Sequence, residues 1–405
     1  MDDSKCICYK YTLQGPGDAE LATILDAVDA TALIQRLQDY RRKAGRKGYP
    51  LTALWRAFLA SYALNLPHTN ALIRRLEDSE TLRDLCGFEQ LPHRTTFNRF
   101  NTRLADHQEL VDAALRSLTA KLAEELPGFG EKVAIDSTVV RTHSNPHREP
   151  RSDPDASWAA KSAAGGRHKK EWRFGYKYHA IADATYGLPI VGFVTTGSRG
   201  DSPTLPVLMD QAKAEHDWFA PKYVMADKGY DSEANHRAVL KRRAVPIIAI
   251  RKTSKKGQTS LREGIYTDDC VPTCIGLVPM EYVRTDPTHG HLYQCRTEGC
   301  HLKDRKGVRY CQELHWENRF DRARLFGSVR RDSAKWKELY GHRQAVERLF
   351  KGMKESRRLE AHCLRGLKKV SLHASMSALT FQATALVRHK AGRTADLRWM
   401  VRKVA

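Results

Sequence analysis

At 405 residues the chain is longer than a single hydrophobic core usually supports, so more than one domain is expected. Hydrophobic residues make up 41% and charged residues 28%, which excludes a chain dominated by disorder. Lys and Arg outnumber Asp and Glu 68 to 47, a net charge of +21, so polyanions are natural partners. Charge alone does not separate nucleic acid from a ribosomal or anionic membrane surface.

No charged start followed by an apolar core and a cleavage site is present at Met1, so no signal peptide is expected. The longest mildly apolar stretch, 370–387, contains His373 and Gln382 and falls short of a membrane span. Nine cysteines, an odd number, fit a reducing cytosol.

Residues 1–50 are poorly patterned and end in a basic run at 41–47. From Leu51 the pattern turns helical, with Leu51, Leu54, Trp55, Phe58, Leu59 and Tyr62 at three- and four-residue spacing. Thr69 or Asn70 caps a second helix and Ser79 a third, and residues 91–100 lead into a long helix ending near Pro127. Residues 51–126 are therefore expected to form an all-helical domain. Within it, residues 82–100 admit either a helix-turn-helix reader or a plain packing role.

The period changes to two at Val133. Residues 133–140, 174–182 and 189–196 are β-branched or aromatic runs, with Tyr186 and Gly187 as the turn between the last two. A helix from Ser202 to about Asp217, a strand at 223–227, a helix at 232–243 and a strand at 246–250 follow. Together they predict a mixed five-stranded sheet flanked by helices over residues 130–250. The segment between Arg141 and Arg173, rich in Pro, Gly, Ser and charge, is either a solvated excursion or a flap that touches substrate. Residues 251–326 interrupt the pattern, and a β-rich insertion is expected there before residues 327–405 return as basic helices.

Three acids stand out. Asp136 lies in Val133-Ala-Ile-Asp-Ser-Thr-Val-Val140, and Asp227 closes Tyr223-Val-Met-Ala-Asp227. Glu347 sits on a helix read as continuous from Tyr340 through Lys354. Two strand-borne aspartates and a helix-borne glutamate are the hard donors that two-metal phosphoryl transfer needs. At about 100° per residue, Tyr340, Arg343, Glu347 and Lys354 share an arc of about 60°. That stripe borders the apolar face of Val346, Leu349, Phe350 and Met353. Taken alone, it is the pattern of an ordinary solvated face.

Other residues have local explanations. Asp183 precedes a turn, Asp201 before Ser202-Pro203 reads as a helix cap, and His179 on an alternating strand reads as structural, while His143 stays open. Lys351, Arg357, Arg358, Arg365, Lys368 and Lys369 form a basic segment, either solvated or a phosphate track. Five cysteines fall between Cys270 and Cys311. Cys270, Cys274, Cys295 and Cys300 could complete a four-thiolate zinc site, with His301 as an alternative ligand. The short Cys-x2-Cys knuckle is missing, so thiols buried in a β domain compete with that reading.

Tyr340, Arg343, Glu347 and Lys354 fill every fixed position of Tyr-x2-Arg-x3-Glu-x6-Lys. Here the chain resembles the DDE transposases of bacterial insertion sequences, in the group that carries this signature around its third acid. Asp136-Ser-Thr looks like that group's first-acid motif. Asp153-Pro-Asp-Ala-Ser-Trp158 followed by Phe174-Gly-Tyr-Lys-Tyr-His179 looks like its second strand. Gly200-Asp201-Ser202 and Ala226-Asp-Lys-Gly-Tyr230 are similar to its third-strand exit and second-acid motif. Residues 49–104 resemble its amino-terminal helical domain. The likeness covers most of the chain and is weakest in the first 45 residues and the insertion.

The resemblance implies a ribonuclease-H-like core in which Asp136, Asp227 and Glu347 meet on two Mg²⁺ or Mn²⁺ ions. It implies cleavage at the element's ends and strand transfer into target DNA, with double-stranded DNA as partner. Arg343 and Lys354 would position phosphates, and Tyr340 would touch DNA near the cleaved bond. A homodimer or larger synaptic assembly, on the nucleoid in the bacterial cytoplasm, is the implied setting. Rival readings are a DNA nuclease without strand transfer and an inactive descendant kept as a DNA-binding regulator.

Overall fold

A computed structural model describes residues 17–39, 48–162, 170–251, 266–267, 269–274, 276, 278–296, 314–318 and 323–399. Among these, seven helices precede the first strand: α1 (Asp18–Asp26), α2 (Thr31–Asp39), α3 (Leu51–Ala63), α4 (Thr69–Asp78), α5 (Glu80–Cys86), α6 (Arg94–Asp106) and α7 (Gln108–Glu125). The helical layer thus begins at Asp18, not at residue 51. α1 and α2 are too short to be stable alone and are held by burying Leu21, Ile24, Leu25, Leu33 and Leu37. Ser79 caps α5 by accepting the Leu82 N–H at 3.2 Å, as expected, whereas α4 is capped by His68 rather than Thr69 or Asn70. The single long helix expected before Pro127 is two, because the backbone at His107 (φ −125°, ψ 37°) leaves helical geometry.

Next come β1 (Lys132–Arg141), β2 (Ser157–Ser162), β3 (Lys170–Asp183), β4 (Pro189–Thr196), α8 (Thr204–Glu215), β5 (Tyr223–Ala226), α9 (Glu233–Lys241) and β6 (Val245–Ile248). One sheet runs in the order β2-β3-β1-β5-β6, and β4 pairs with the later half of β3. β1 is antiparallel to β3 and parallel to β5, and β5 is parallel to β6. The five expected strands are present; the sixth, β2, comes from the segment read as a loop or flap. Gly175 stands where β3 passes from pairing with β2 to pairing with β4. Its φ is 153°, and a Cβ there would lie 2.2 Å from the Val140 carbonyl oxygen.

The insertion carries its own antiparallel sheet of β7 (Glu281–Asp286), β8 (Gly290–Gln294) and β9 (Leu314–Glu317), in keeping with the expected β-rich character. Arg324 ties the region to the main sheet through a two-pronged bond to buried Asp231 (2.8 and 2.6 Å). Arg331 adds a bond to the Ile248 carbonyl at 2.6 Å.

The chain ends in α10 (Ala334–Gly341), α11 (Gln344–Ser356) and α12 (Leu367–Lys390), followed by a 3-10 turn at Thr394–Trp399. The helix expected to run unbroken from Tyr340 through Lys354 is two. Bonds of the tighter i→i+3 kind join them: Arg343 N–H to Tyr340 O at 3.1 Å and Ala345 N–H to His342 O at 3.0 Å. α12 is buried along most of its length, between α1, α3, α6 and α7 on one side and β4 on the other. Gln382 donates to Pro189 O at 2.6 Å and to Thr119 Oγ1 at 2.8 Å, so helical layer and sheet share one core. No helix among the described residues is long and apolar enough to cross a membrane.

Gly175→Ala should cost about 2 kcal/mol or more, because backbone must move to admit one methyl group. Gly341→Ala, whose Cβ meets open space, is the matched control. Chemical denaturation of both variants checks the difference.

Candidate active site

Asp136 lies midway along β1, one residue past the last pairing with β5, Ile135 opposite Ala226. Asp227 directly follows Ala226, so the two aspartates emerge side by side where β5 ends. Asp227 Oδ1 accepts the Gly229 N–H at 2.6 Å and caps the 3-10 turn Lys228–Tyr230. A Cβ at Gly229 would lie 2.8 Å from that oxygen, so the turn needs glycine. Asp136 Oδ1 accepts the Ser137 N–H at 2.8 Å. Among the described residues neither Oδ2 has a hydrogen-bond partner.

Glu347 rides on α11, which packs against β1 and β3. Val346, Leu349, Phe350 and Met353 are buried as their spacing requires, and Phe350 meets Tyr178 of β3 edge-on at 6.0 Å. The Glu347 side chain, 51% exposed, accepts from Arg343 Nη1 at 2.7 Å. Arg343 also lies 5.5 Å from the Tyr340 ring, and Tyr340 stacks on Trp336 at 4.8 Å. Among the described residues no three His, Cys, Asp or Glu side chains converge closely enough to hold one ion. The acids are electrostatic neighbours, not a finished cage, and the Arg343 guanidinium engages the third.

Burial raises the Asp136 pKa to about 7. The Ser137 N–H and Arg343 oppose that rise, while the charges of Asp227 and Glu347 add to it. The Oδ2 atoms of these two half-buried carboxylates, next to a like charge and without a donor among the described residues, suit a hard divalent cation. Glu347 Oε1 is engaged by Arg343.

The supporting residues divide. Lys354 is half-buried and donates to Val139 O of β1 at 2.6 Å, with Glu360 Oε2 at 2.8 Å. Lys351 and Arg365 are exposed. Arg357 and Arg358, expected on a phosphate track, are instead interior, 5% and 7% exposed. Arg357 donates to Thr384 Oγ1 at 3.0 Å, and burial lowers its pKa to about 10. Arg358 lies over the Tyr62 ring at 4.5 Å and donates to Ser61 Oγ at 2.6 Å. Both stitch helices together, out of reach of any phosphate.

Asp183 keeps its turn role, accepting from the Thr185, Tyr186 and Gly130 N–H groups. His179 is buried, bonded to Thr195 Oγ1 at 2.9 Å and held near pKa 4 by burial. His143 faces His362, with ring centroids 6.2 Å apart. Asp201 is not the side-chain cap of α8. Its Oδ1 accepts from Ser137 Oγ at 2.8 Å and Lys177 Nζ at 3.0 Å. Lys177 is visible in the sequence as a cation within the alternating run at 174–179, a pattern that assigns it no role.

Cys270 packs with Phe326, and Cys274 with Met280 and Tyr293, while Cys295 lies partly buried beside the latter group. Burial raises the Cys270 thiol to about 11. Among the described residues these thiols fill apolar space, and the possible zinc site cannot be completed there because its fourth ligand lies outside them. Cys300, Cys311 and His301 lie outside the described residues.

Residues 127–381 match the transposase DDE domain family, and residues 11–103 match the family described as transposase domain (DUF772). The first match spans more than half of the chain, which therefore belongs to the DDE transposase family. A relative from Burkholderia cepacia, named as a transposase for insertion sequence element IS402, is 36% identical over 86 residues. That stretch is 20% of this chain and 40% of the relative, so the chain spans about two fifths of that protein. A cryo-EM structure of the piggyBac transposase synaptic complex with hairpin DNA aligns over 95% of this chain and 78% of its own. It is 12% identical with a TM-score of 0.44, a likeness too distant to decide anything.

Two outcomes are expected. Without divalent metal, the raised Asp136 pKa means the folded state holds an extra proton between about pH 4 and pH 7, so stability falls as pH rises through that window. Asp136→Asn should therefore melt higher than the native chain at pH 8 in chelator and lose most of that advantage at pH 4. Arg358→Leu should cost about 2 kcal/mol or more by orphaning its partners, while the salt dependence of DNA affinity stays unchanged. A DNA titration at several salt concentrations checks the second outcome.

Proposed function

We propose that this chain is an insertion-sequence transposase that cleaves DNA at the ends of its element and joins the freed 3′-hydroxyl to target DNA. Asp136, Asp227 and Glu347 are its metal-binding acids in this reading. One observation carries it: Asp136 and Asp227 emerge together from adjacent parallel strands, and the Glu347 helix lies against that sheet. Antiparallel β4-β3-β1 continuing into parallel β1-β5-β6 supports a ribonuclease-H-like core.

Two Mg²⁺ or Mn²⁺ ions, when bound, would polarise the scissile phosphate and activate water or a 3′-hydroxyl for in-line attack. The chain's own groups do the rest. Asp136 and Asp227 present their unengaged Oδ2 atoms, and Glu347 exchanges Arg343 for the shared site. That exchange frees the Arg343 fork for a phosphate. Lys354 is held beside β1 as a fixed positive charge, and exposed Lys351 extends the field along the backbone. Tyr340, rigid on Trp336, offers a face or a hydroxyl to DNA near the cleaved bond. Handling two element ends at once requires a homodimer or larger assembly on double-stranded DNA, in the cytoplasm of its bacterial host.

Linear DNA carrying the native element ends, incubated with protein and Mg²⁺, tests the proposal. Asp136→Asn and Glu347→Gln should each reduce end cleavage and joining by about a thousandfold or more while leaving DNA affinity within about threefold. Undiminished cleavage in both variants refutes the acid assignment. Cleavage without joining by the native chain would mark a nuclease, and DNA binding without cleavage a regulator.

A further inference from the structure

A lysine ammonium lies buried in the sheet, where a charge needs a reason. Lys177 of β3 is 8% exposed. Its Nζ donates to Arg199 O at 2.9 Å and to Asp201 Oδ1 at 3.0 Å. The same oxygen accepts the Ser137 hydroxyl at 2.8 Å. Ser137 then donates its backbone N–H to Asp136 Oδ1 at 2.8 Å.

The strand pleat explains the layout. Lys177 and His179 face one side of the sheet with their cross-strand partners Val139 and Ser137. Asp136 alternates to the other side, with Thr138 and its partner Tyr178, where α11 packs. β5 has already ended at Ala226, opposite Ile135, so from residue 136 onward β1 lacks its parallel neighbour. The backbone that aims Asp136 is therefore unsupported on that edge unless something else fixes Ser137.

We infer that Lys177 and Asp201 form a positioning pair that holds Ser137 from the far face of the sheet and thereby orients the Asp136 carboxylate for metal. The inference rests on the proposed role of Asp136 as a metal ligand. Lys177 is buried while Asp201 is partly exposed, and an ion pair that desolvates its cation is a poor stabiliser against an apolar replacement, so stability alone does not account for it. Among the described residues, the Ser137 hydroxyl is the hydrogen bond that joins this pair to the strand segment carrying Asp136. Pinning Oδ1 to the Ser137 N–H leaves Oδ2 as the free donor.

Ser137→Ala is the decisive variant, because it cuts the link while leaving Lys177 and Asp201 paired. In chelator it should melt with the native chain. It should need about tenfold more Mn²⁺ for the half-maximal metal-induced rise in melting temperature, and likewise for half-maximal end cleavage. Ser137→Thr, which keeps the hydroxyl, should restore both midpoints. Asp201→Asn should show the same Mn²⁺ shift together with a lower melting temperature, since Lys177 is left without its charge partner. Native Mn²⁺ midpoints for Ser137→Ala, in both readouts, overturn the inference. If Asp136→Asn too keeps the native Mn²⁺ response, the acid assignment itself is wrong and the pair has nothing to position. If Asp136→Asn loses that response and Ser137→Ala does not, only the pair's role fails.

Discussion

The parallel pairing of β1 with β5 is the constraint on which everything else depends. It brings two aspartates that are distant in sequence to neighbouring positions, and it stops one residue before Asp136, so both stand just past the end of the β1–β5 ladder, with Asp136 still paired to Ala180 of β3. The rest of the architecture serves that junction. β3 and β4 brace β1 from the other edge, α11 lays the third acid against the same sheet, and α12 locks the sheet to the helical layer. Shifting the β1–β5 register by one residue would turn Asp136 to the opposite face.

Charge pairing is the second theme. The chain carries +21 overall, yet cations near the candidate site are held by carboxylates: Arg343 by Glu347, Lys354 by Glu360, Lys177 by Asp201. These pairs are not equivalent. Glu347 is half-exposed, and an exposed pair is worth little, so a phosphate can take its place on Arg343 at small cost. Lys177 is buried, and exchange there would strand a charge in the sheet. The first kind of pair is the more exposed and the second the more buried. Arg357 and Arg358 extend the second kind away from the site, where buried guanidiniums satisfy hydroxyls and carbonyls between helices.

Strong local patterns were legible in the sequence. β-branched runs placed five strands, and the spacing of Val346, Leu349, Phe350 and Met353 placed the buried face of α11. What escaped depends on tertiary partners. α1 and α2 are short and are held as helices by packing, α1 against α3 and α12 and α2 against α3 and α7. β2 was hidden in a segment rich in Pro, Gly and charge, since its pairing with β3 leaves no period in so short a strand. The tight link at His342 and Arg343 keeps near-helical backbone angles, so periodicity ran straight through it. Arg357 and Arg358 look like any basic run until Ser61, Tyr62 and Thr384 are seen around them. Asp201 was misassigned for the opposite reason: Asp before Ser-Pro is a good local cap signal, and a distant lysine and serine outcompete it.

The central claim is that the three acids share metal once Glu347 lets go of Arg343. Anomalous diffraction from crystals grown with Mn²⁺ and an element-end DNA addresses it directly. Manganese peaks ligated by Asp136 and Asp227 are expected, with Glu347 swung away from Arg343 to join them and Arg343 on a phosphate. Manganese bound elsewhere, or Glu347 still paired with Arg343 beside an engaged DNA end, would contradict it.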